Sequence, residues 1–149
     1  MSLEQKVMQD LKAAMKAKDQ KALRGIRAIK AAILLEKTSG GKEEMTEEQE
    51  IKLLQKLVKQ RKDSLAIYQK EGRDDLAKIE EEEIKVIERY LPEQMSEEEL
   101  QAEVDKIIEE TGASSMKDMG KVMGIATKRL AGRAEGKAIS AAVKQKLSG

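Results

Sequence analysis

The 149-residue chain carries 29 Lys and Arg against 28 Asp and Glu, so its net charge is only +1. Two tyrosines are its only aromatic residues, and cysteine and histidine are both absent. These absences exclude a disulfide framework and a Ser-His or Cys-His catalytic pair, and they remove the usual zinc ligands. The aliphatic, highly charged composition, with a single proline, favours an all-α protein.

The charge is strongly segregated along the chain. Residues 1–38 sum to +5, residues 39–111 to −10 and residues 112–149 to +6. A basic last third suits a polyanionic partner although the total is near neutral. No apolar run approaches the roughly 20 residues that a membrane span needs, and the N-terminus lacks a signal-peptide core. Together with the lack of cysteine, this predicts a cytoplasmic protein with no membrane partner.

Two helices are predicted before residue 40. Ser2, with Gln5 three residues later, has the spacing of a capping box, which indicates the start of the first helix. Asp19 is the predicted N-cap of a second helix that runs to about Lys37. The segment Ser39-Gly40-Gly41-Lys42 is predicted to end that helix and to form an exposed, flexible loop.

A second helical pair follows. Thr46 and Gln49 form another capping box, which predicts a third helix over about 47–71 with Gly72 as its C-cap. A fourth helix is predicted to begin at Asp74 or Asp75. Because the connecting turn is short, the third and fourth helices should be antiparallel.

Each helix of this second pair has one charged residue on its apolar face. These residues are Arg61 and Glu83, and both lie at a similar distance from the turn. A guanidinium on an apolar face needs a partner, so we expect the two side chains to form an ion pair at the edge of the core. The functional alternative is that one of them is a catalytic carboxylate or an anion clamp.

Pro92 is predicted to stop the fourth helix at Leu91 and to mark a domain boundary. Ser96 with Glu99 predicts a fifth helix that ends at Thr111-Gly112, and Ser115 with Asp118 predicts a sixth. A seventh, short helix closes the chain. The predicted organisation is a four-helix N-terminal domain, residues 1–92, followed by a small three-helix domain, residues 93–149.

The segment 116–137 is the least typical of an ordinary helical protein. As a helix it presents one apolar side: Met116, Met119, Val122, Met123, Ala126 and Leu130. The other side presents Lys117, Lys121 and Lys128, with Gly124 among them and Gly120 at their edge. Glycine within a helix is destabilising, so two glycines suggest that something packs closely against the backbone. Either a neighbouring helix does so and the lysines are merely solvated, or a phosphate backbone approaches and the lysines bind it.

No complete active site is predicted. The segment Gly132–Ala138 resembles a phosphate-binding P-loop, but its glycines are one residue too close and no strand precedes it. The acidic runs Glu80–Glu83 and Glu97–Glu99 could in principle hold a divalent cation, but consecutive residues point around a helix and are better explained as a solvated face. We expect no catalytic residue, no metal and no cofactor.

The chain resembles a known family over most of its length, from about residue 20 to its end. The resemblance rests on QRKDS at 60–64, GRDDLA at 72–77, YLPEQ at 90–94, MGKVM at 119–123 and GRAEG at 132–136. These segments resemble the YqeY family of small bacterial proteins. The last third also resembles the tail domain of GatB, a subunit of the tRNA-dependent amidotransferase, and this makes the second predicted domain GatB-tail-like. The family often has aspartate at the position of Glu135.

The resemblance implies a fold, a partner and a set of site residues. It implies a two-part helical protein associated with carbon–nitrogen ligation that uses glutamine as amide donor, although nothing here corresponds to the catalytic domain of GatB. The implied partner is tRNA or another structured RNA, together with an amidotransferase or an aminoacyl-tRNA synthetase. The tRNA-facing residues that it implies are Lys121, Gly124, Lys128, Arg129, Arg133 and Lys137.

The favoured hypothesis is therefore a tRNA-binding accessory module without a catalytic domain of its own. The lack of aromatic residues in the basic last third argues against reading of single-stranded bases and is compatible with recognition of a folded RNA backbone. One alternative is a protein-interaction adaptor that binds no nucleic acid. Another is an authentic amide-transfer enzyme.

Overall fold

The computed structural model describes residues 2–40 and 44–148. Within these ranges helices are the only regular secondary structure, which confirms the predicted all-α fold class. The helices are α1 (Leu3–Ala17), α2 (Gln20–Gly40), α3 (Glu47–Lys70), α4 (Asp74–Glu88), α5 (Glu97–Thr111), α6 (Met119–Arg129) and α7 (Gly136–Ser148), with a 3₁₀ turn at Met116–Asp118. In the part that the structure describes, no helix combines the length and hydrophobicity required to cross a bilayer.

The predicted capping boxes are confirmed. At the start of α1, α3 and α5 the hydroxyls of Ser2, Thr46 and Ser96 each accept a hydrogen bond from a backbone N–H three residues on, and the side chain there accepts one back. A fourth box, at Ser115, begins the 3₁₀ turn that leads into α6. Each box satisfies backbone donors that the first helical turn leaves without an internal partner. Asp19 is also confirmed as a cap, since its carboxylate accepts from the N–H of Ala22 at 3.1 Å.

Two predicted helix ends are wrong. Helix α2 continues past Lys37 to Gly40, and the Ser39 hydroxyl donates to the carbonyl of Leu35 at 2.8 Å, so its side chain follows the helix instead of leaving it. The rest of the predicted loop, Gly41 and Lys42, lies outside the described residues. Helix α4 ends at Glu88 and not at Leu91, because i→i−3 hydrogen bonds tighten the chain over the three residues before the proline.

The helices divide between two compact units, Met1–Leu91 and Pro92–Gly149. In the first unit, α2 packs against both α1 and α4, and α4 packs extensively against α3. The core is aliphatic, as the composition requires; its most deeply buried members are Val7, Ile29, Leu54 and Ile87. Helices α2 and α4 lie close together where Gly25 faces Val86, since a Cβ atom at position 25 would lie only 2.6 Å from Val86.

The expected ion pair between α3 and α4 is confirmed. Arg61 Nε lies 3.1 Å from Glu83 Oε2, and its Nη1 donates to the carbonyl of Leu57, also at 3.1 Å. The two side chains are only 18% and 19% exposed. Their mutual pairing satisfies both charges at the edge of the core, which favours the structural interpretation over a catalytic one.

The second unit has a separate aliphatic core. Its fully buried members come from α5, α6 and α7: Val104, Ile107, Val122, Ala126 and Val143. Helix α6 packs against both α5 and α7. This burial fixes the rotation of α6 about its axis and so decides which of its side chains face solvent.

Candidate nucleic-acid interface

The apolar side of α6 faces the core of the second unit. Val122, Ala126 and Leu130 are buried, in the 3–4 spacing that places residues on one face of a helix. Met119 and Met123 are partly buried against the same core. Met116 departs from the prediction: it is 42% exposed, because it belongs to the 3₁₀ turn before α6 and not to the helix itself.

The opposite side of α6 carries two of the predicted RNA-facing lysines. Lys121 and Lys128 are exposed. Being seven residues apart, they lie about 10.5 Å apart along the axis and only about 20° apart around it. Gly124 is exposed between them along the helix. The structure therefore places these three predicted site residues on one continuous surface, which we call the lysine–glycine face.

In the part of the chain that the structure describes, no neighbouring helix covers the glycines of α6. A Cβ atom built at Gly120 or at Gly124 would meet nothing within 4 Å. Neither residue has a positive φ, so the backbone does not require glycine there. The sequence-based alternative that another helix of this chain packs against these positions is therefore wrong. Bare helical backbone is open to solvent beside the lysines.

The lysines of this region are not engaged within the protein. Among the described residues, no ion pair or hydrogen bond is formed by the ammonium groups of Lys117, Lys121, Lys128 or Lys137. Lys137 lies in the first turn of α7, and no hydrogen bond or ion pair of the described residues connects it to the lysine–glycine face. These four cations can bind an anionic partner without breaking an internal contact.

Arg129, by contrast, is already paired. Its Nη1 and Nη2 donate to the two carboxylate oxygens of Glu110 on α5, at 3.3 and 2.8 Å. The bond from the guanidinium lowers the pKa of Glu110, and the same bond raises the pKa of Arg129. Both side chains remain substantially exposed, Glu110 at 56% and Arg129 at 39%. Arg129 follows Lys128 by one residue, so it projects about 100° away from it, at the edge of the lysine–glycine face.

Arg133 belongs to a structural turn. Its Nε donates to the carbonyl of Glu93 at 3.2 Å, and its own carbonyl accepts from the N–H of Met95 at 2.9 Å. Gln94 donates to the carbonyl of Gly132 at 2.6 Å, where the chain turns with φ +78°. Hydrogen bonds thus join the segment before α5 to the turn between α6 and α7, and the guanidinium of Arg133 donates one of them.

The acidic runs do not converge on a common point. Within the described ranges, no group of three or more acidic side chains is placed to hold a metal ion. Glu82 pairs with Lys21 and Arg24 of α2, and Glu83 pairs with Arg61. Consecutive residues of a helix point to different neighbours, and the pairing follows from that geometry.

The family profile described as "Yqey-like protein" matches residues 4–147 of the chain. The chain belongs to the YqeY family. The resemblance of the segments from QRKDS to GRAEG to the YqeY family is thereby confirmed. The relation of the last third to the GatB tail domain stays a prediction.

Curated relatives of this YqeY-family chain occur in yeasts. It is 43% identical over 82 residues to "Altered inheritance of mitochondria protein 41, mitochondrial" of Clavispora lusitaniae, covering 55% of this chain and 47% of the relative. Proteins of the same name from Vanderwaltozyma polyspora and Lachancea thermotolerans are each 35% identical, over 116 and 108 residues; these alignments cover 74% and 71% of this chain and 63% and 58% of the relatives. The matched region therefore spans about half to three fifths of each relative.

These relatives contradict the predicted cytoplasmic location. All of them are named as mitochondrial proteins. The prediction was based on the lack of cysteine and of long apolar runs, and neither property distinguishes one reducing compartment from another. Composition alone therefore carried too little information to assign a compartment to this YqeY-family chain.

Proposed function

We propose that this chain is a tRNA-binding accessory module, related to the glutamine-dependent tRNA amidotransferase and without a catalytic domain of its own. In this proposal the second unit is a three-helix domain of the GatB-tail type, it follows a four-helix domain, and the division lies at 92/93. The observation that carries the proposal is the lysine–glycine face of α6, where unpaired lysines flank exposed helical backbone.

A phosphate backbone fits the chemistry of this face. Lysine ammonium groups act as compact point charges toward phosphate oxygens, and exposed glycine backbone admits a closer approach than any side chain would allow. Both tyrosines, Tyr68 and Tyr90, belong to the first unit, so this face has no aromatic ring on which a base could stack. The ligand that suits it is a folded RNA recognised through the shape of its backbone.

The six predicted RNA-facing residues differ in their availability. Lys121, Gly124 and Lys128 form the centre of the proposed interface, and Lys137 is an unpaired cation on the next helix. Arg133 contributes through the turn that it stabilises. The carbon–nitrogen ligase chemistry implied by the family resemblance is assigned to a partner, an amidotransferase or an aminoacyl-tRNA synthetase.

The test is a titration of labelled total tRNA at about 50 mM and about 200 mM salt, with wild type and with Lys121→Gln/Lys128→Gln. Binding driven by phosphate contacts weakens steeply with salt, and each lost lysine contact should reduce the slope of log K against log salt by about 1. The matched control is Lys59→Gln/Lys78→Gln, two exposed lysines of α3 and α4 with the same charge change. It should leave the slope almost unchanged.

Gly124→Ala separates a binding role of the glycine from a folding role. The methyl group meets no atom of the protein, so the variant should fold at least as well as wild type while binding tRNA more weakly. Lack of tRNA binding at low salt, or equal salt slopes for the α6 variant and its control, would refute the proposal. Such a result would favour the adaptor function, for which the exposed Leu34 and Leu35 of α2 provide an apolar surface.

A further inference from the structure

Among the described residues, the pair between Glu110 and Arg129 is the one contact between side chains that engages a predicted RNA-facing arginine. Both Nη groups of Arg129 donate hydrogen bonds to the one carboxylate of Glu110, in the parallel two-bond arrangement that arginine also forms with phosphate. Every described lysine of the adjoining face lacks such a partner. Arg129 is therefore already bound to an internal carboxylate, whereas the neighbouring lysines have none to give up when a ligand binds.

We propose that Glu110 is a competing anion built into the edge of the RNA interface: it holds Arg129 in the free protein, and an RNA phosphate takes its place in the complex. This inference rests on the proposed function. It assigns to Glu110 a role in setting affinity, since RNA binding must break the internal pair before Arg129 becomes available. The lysine–glycine face makes the first contacts, and Arg129 is recruited afterwards.

The exchange is chemically balanced. A carboxylate and a phosphate each offer two oxygens to the same pair of Nη donors, so Arg129 loses no hydrogen bond when one replaces the other. The existing pair is exposed to solvent, and exposed ion pairs hold little net free energy. The displaced carboxylate can be hydrated without burial of its charge.

The surrounding charges strengthen the effect of Glu110. Helix α5 carries seven acidic residues and a single lysine, Lys106, which pairs with Glu103. Glu110 is the member of this acidic helix that contacts α6 directly by a hydrogen-bonded pair. It therefore marks the border at which the negative surface of α5 meets the positive surface of α6. An approaching phosphate meets repulsion on that border and attraction on the lysine side.

The test compares Glu110→Gln with Glu109→Gln. Glu109 is the adjacent exposed residue of α5, it has no described ion pair, and its substitution removes the same charge. Glu110→Gln should tighten tRNA binding about two- to fivefold beyond the control, the factor that corresponds to a typical exposed pair. In the background of Arg129→Gln the two variants should behave alike, because Glu110 then has no arginine to withhold.

The outcomes separate this inference from the function on which it rests. If wild type binds tRNA and Lys121→Gln/Lys128→Gln weakens it, while Glu110→Gln and Glu109→Gln have equal affinities, then the competing role of Glu110 is wrong and the proposed function stands. If the advantage of Glu110→Gln persists in Arg129→Gln, the effect is general electrostatics and the inference is likewise overturned. If wild type binds no tRNA at low salt, the proposed function itself fails.

Discussion

The close contact between Gly25 and Val86 leads to an unusual prediction about stability. A Cβ atom at position 25 would lie 2.6 Å from both Cβ and Cγ1 of Val86, whereas ordinary contact begins at 3.4 Å. Both contacts would therefore be too short by 0.8 Å, the difference between 3.4 and 2.6 Å. One of these two atoms, the Cβ of Val86, is fixed to the backbone, so a change of rotamer cannot remove the clash. Gly25→Ala should force α2 and α4 apart.

The expected magnitude follows from two opposing terms. Replacing a helical glycine by alanine gains about 0.5–1 kcal/mol of helix stability. Overpacking a close-packed core costs about 1–3 kcal/mol. Gly25→Ala should therefore lower the free energy of unfolding of the first unit by about 1 kcal/mol, although the substitution is favourable by helix propensity. Gly124→Ala has the same propensity term without the clash, so it should raise stability by about 0.5–1 kcal/mol.

The assay must follow the two units separately. Tyr68 and Tyr90 both belong to the first unit, so tyrosine fluorescence during urea unfolding reports on the unit that contains Gly25. Amide hydrogen exchange of peptides from α2 and α6 then gives the local change in each variant. The reasoning would be refuted if Gly25→Ala raised the urea midpoint of the first unit, because α2 and α4 would then have room that the structure denies them.

Three further predictions concern other contacts. Arg61→Met and Glu83→Leu should be non-additive in urea unfolding, with a coupling of about 0.5–3 kcal/mol; strictly additive costs would mean that the ion pair does not contribute. The pKa of Tyr90 is raised because its hydroxyl is partly buried and donates to Asp10. The protonated hydroxyl therefore stabilises the folded state fully below about pH 10, the pKa of an unfolded tyrosine, and this contribution is lost as the pH rises further. Stability should consequently fall more between about pH 10 and 11 in wild type than in Tyr90→Phe, and parallel pH profiles would contradict this assignment. Gly132→Ala places a side chain at φ +78° and should cost about 1–2 kcal/mol in thermal unfolding, whereas an unchanged midpoint would argue against the turn.

Local sequence patterns were sufficient to predict the helices and one ion pair between them. The capping boxes at Ser2, Thr46 and Ser96 were predictable because each involves residues three apart in the chain, which no distant element has to position. The pair between Arg61 and Glu83 was predictable because one short turn fixes the register of its two helices. The helix ends near residue 40 and before Pro92 were less accurate, since several alternative hydrogen-bond patterns can complete a last turn.

The tertiary structure alone decided which site residues are available. The sequence identified lysines and glycines on one face of α6, and only the packing of the second unit showed that no helix of the described residues covers Gly124. Nothing in the sequence indicated that Glu110 would reach Arg129, 19 residues away, or that Gln94 would reach Gly132, 38 residues away. Helical periodicity repeats every 3.6 residues and specifies the direction in which a side chain points. The partner of a side chain depends on which helix the fold brings opposite to it, and the packing of the whole core decides which helix that is.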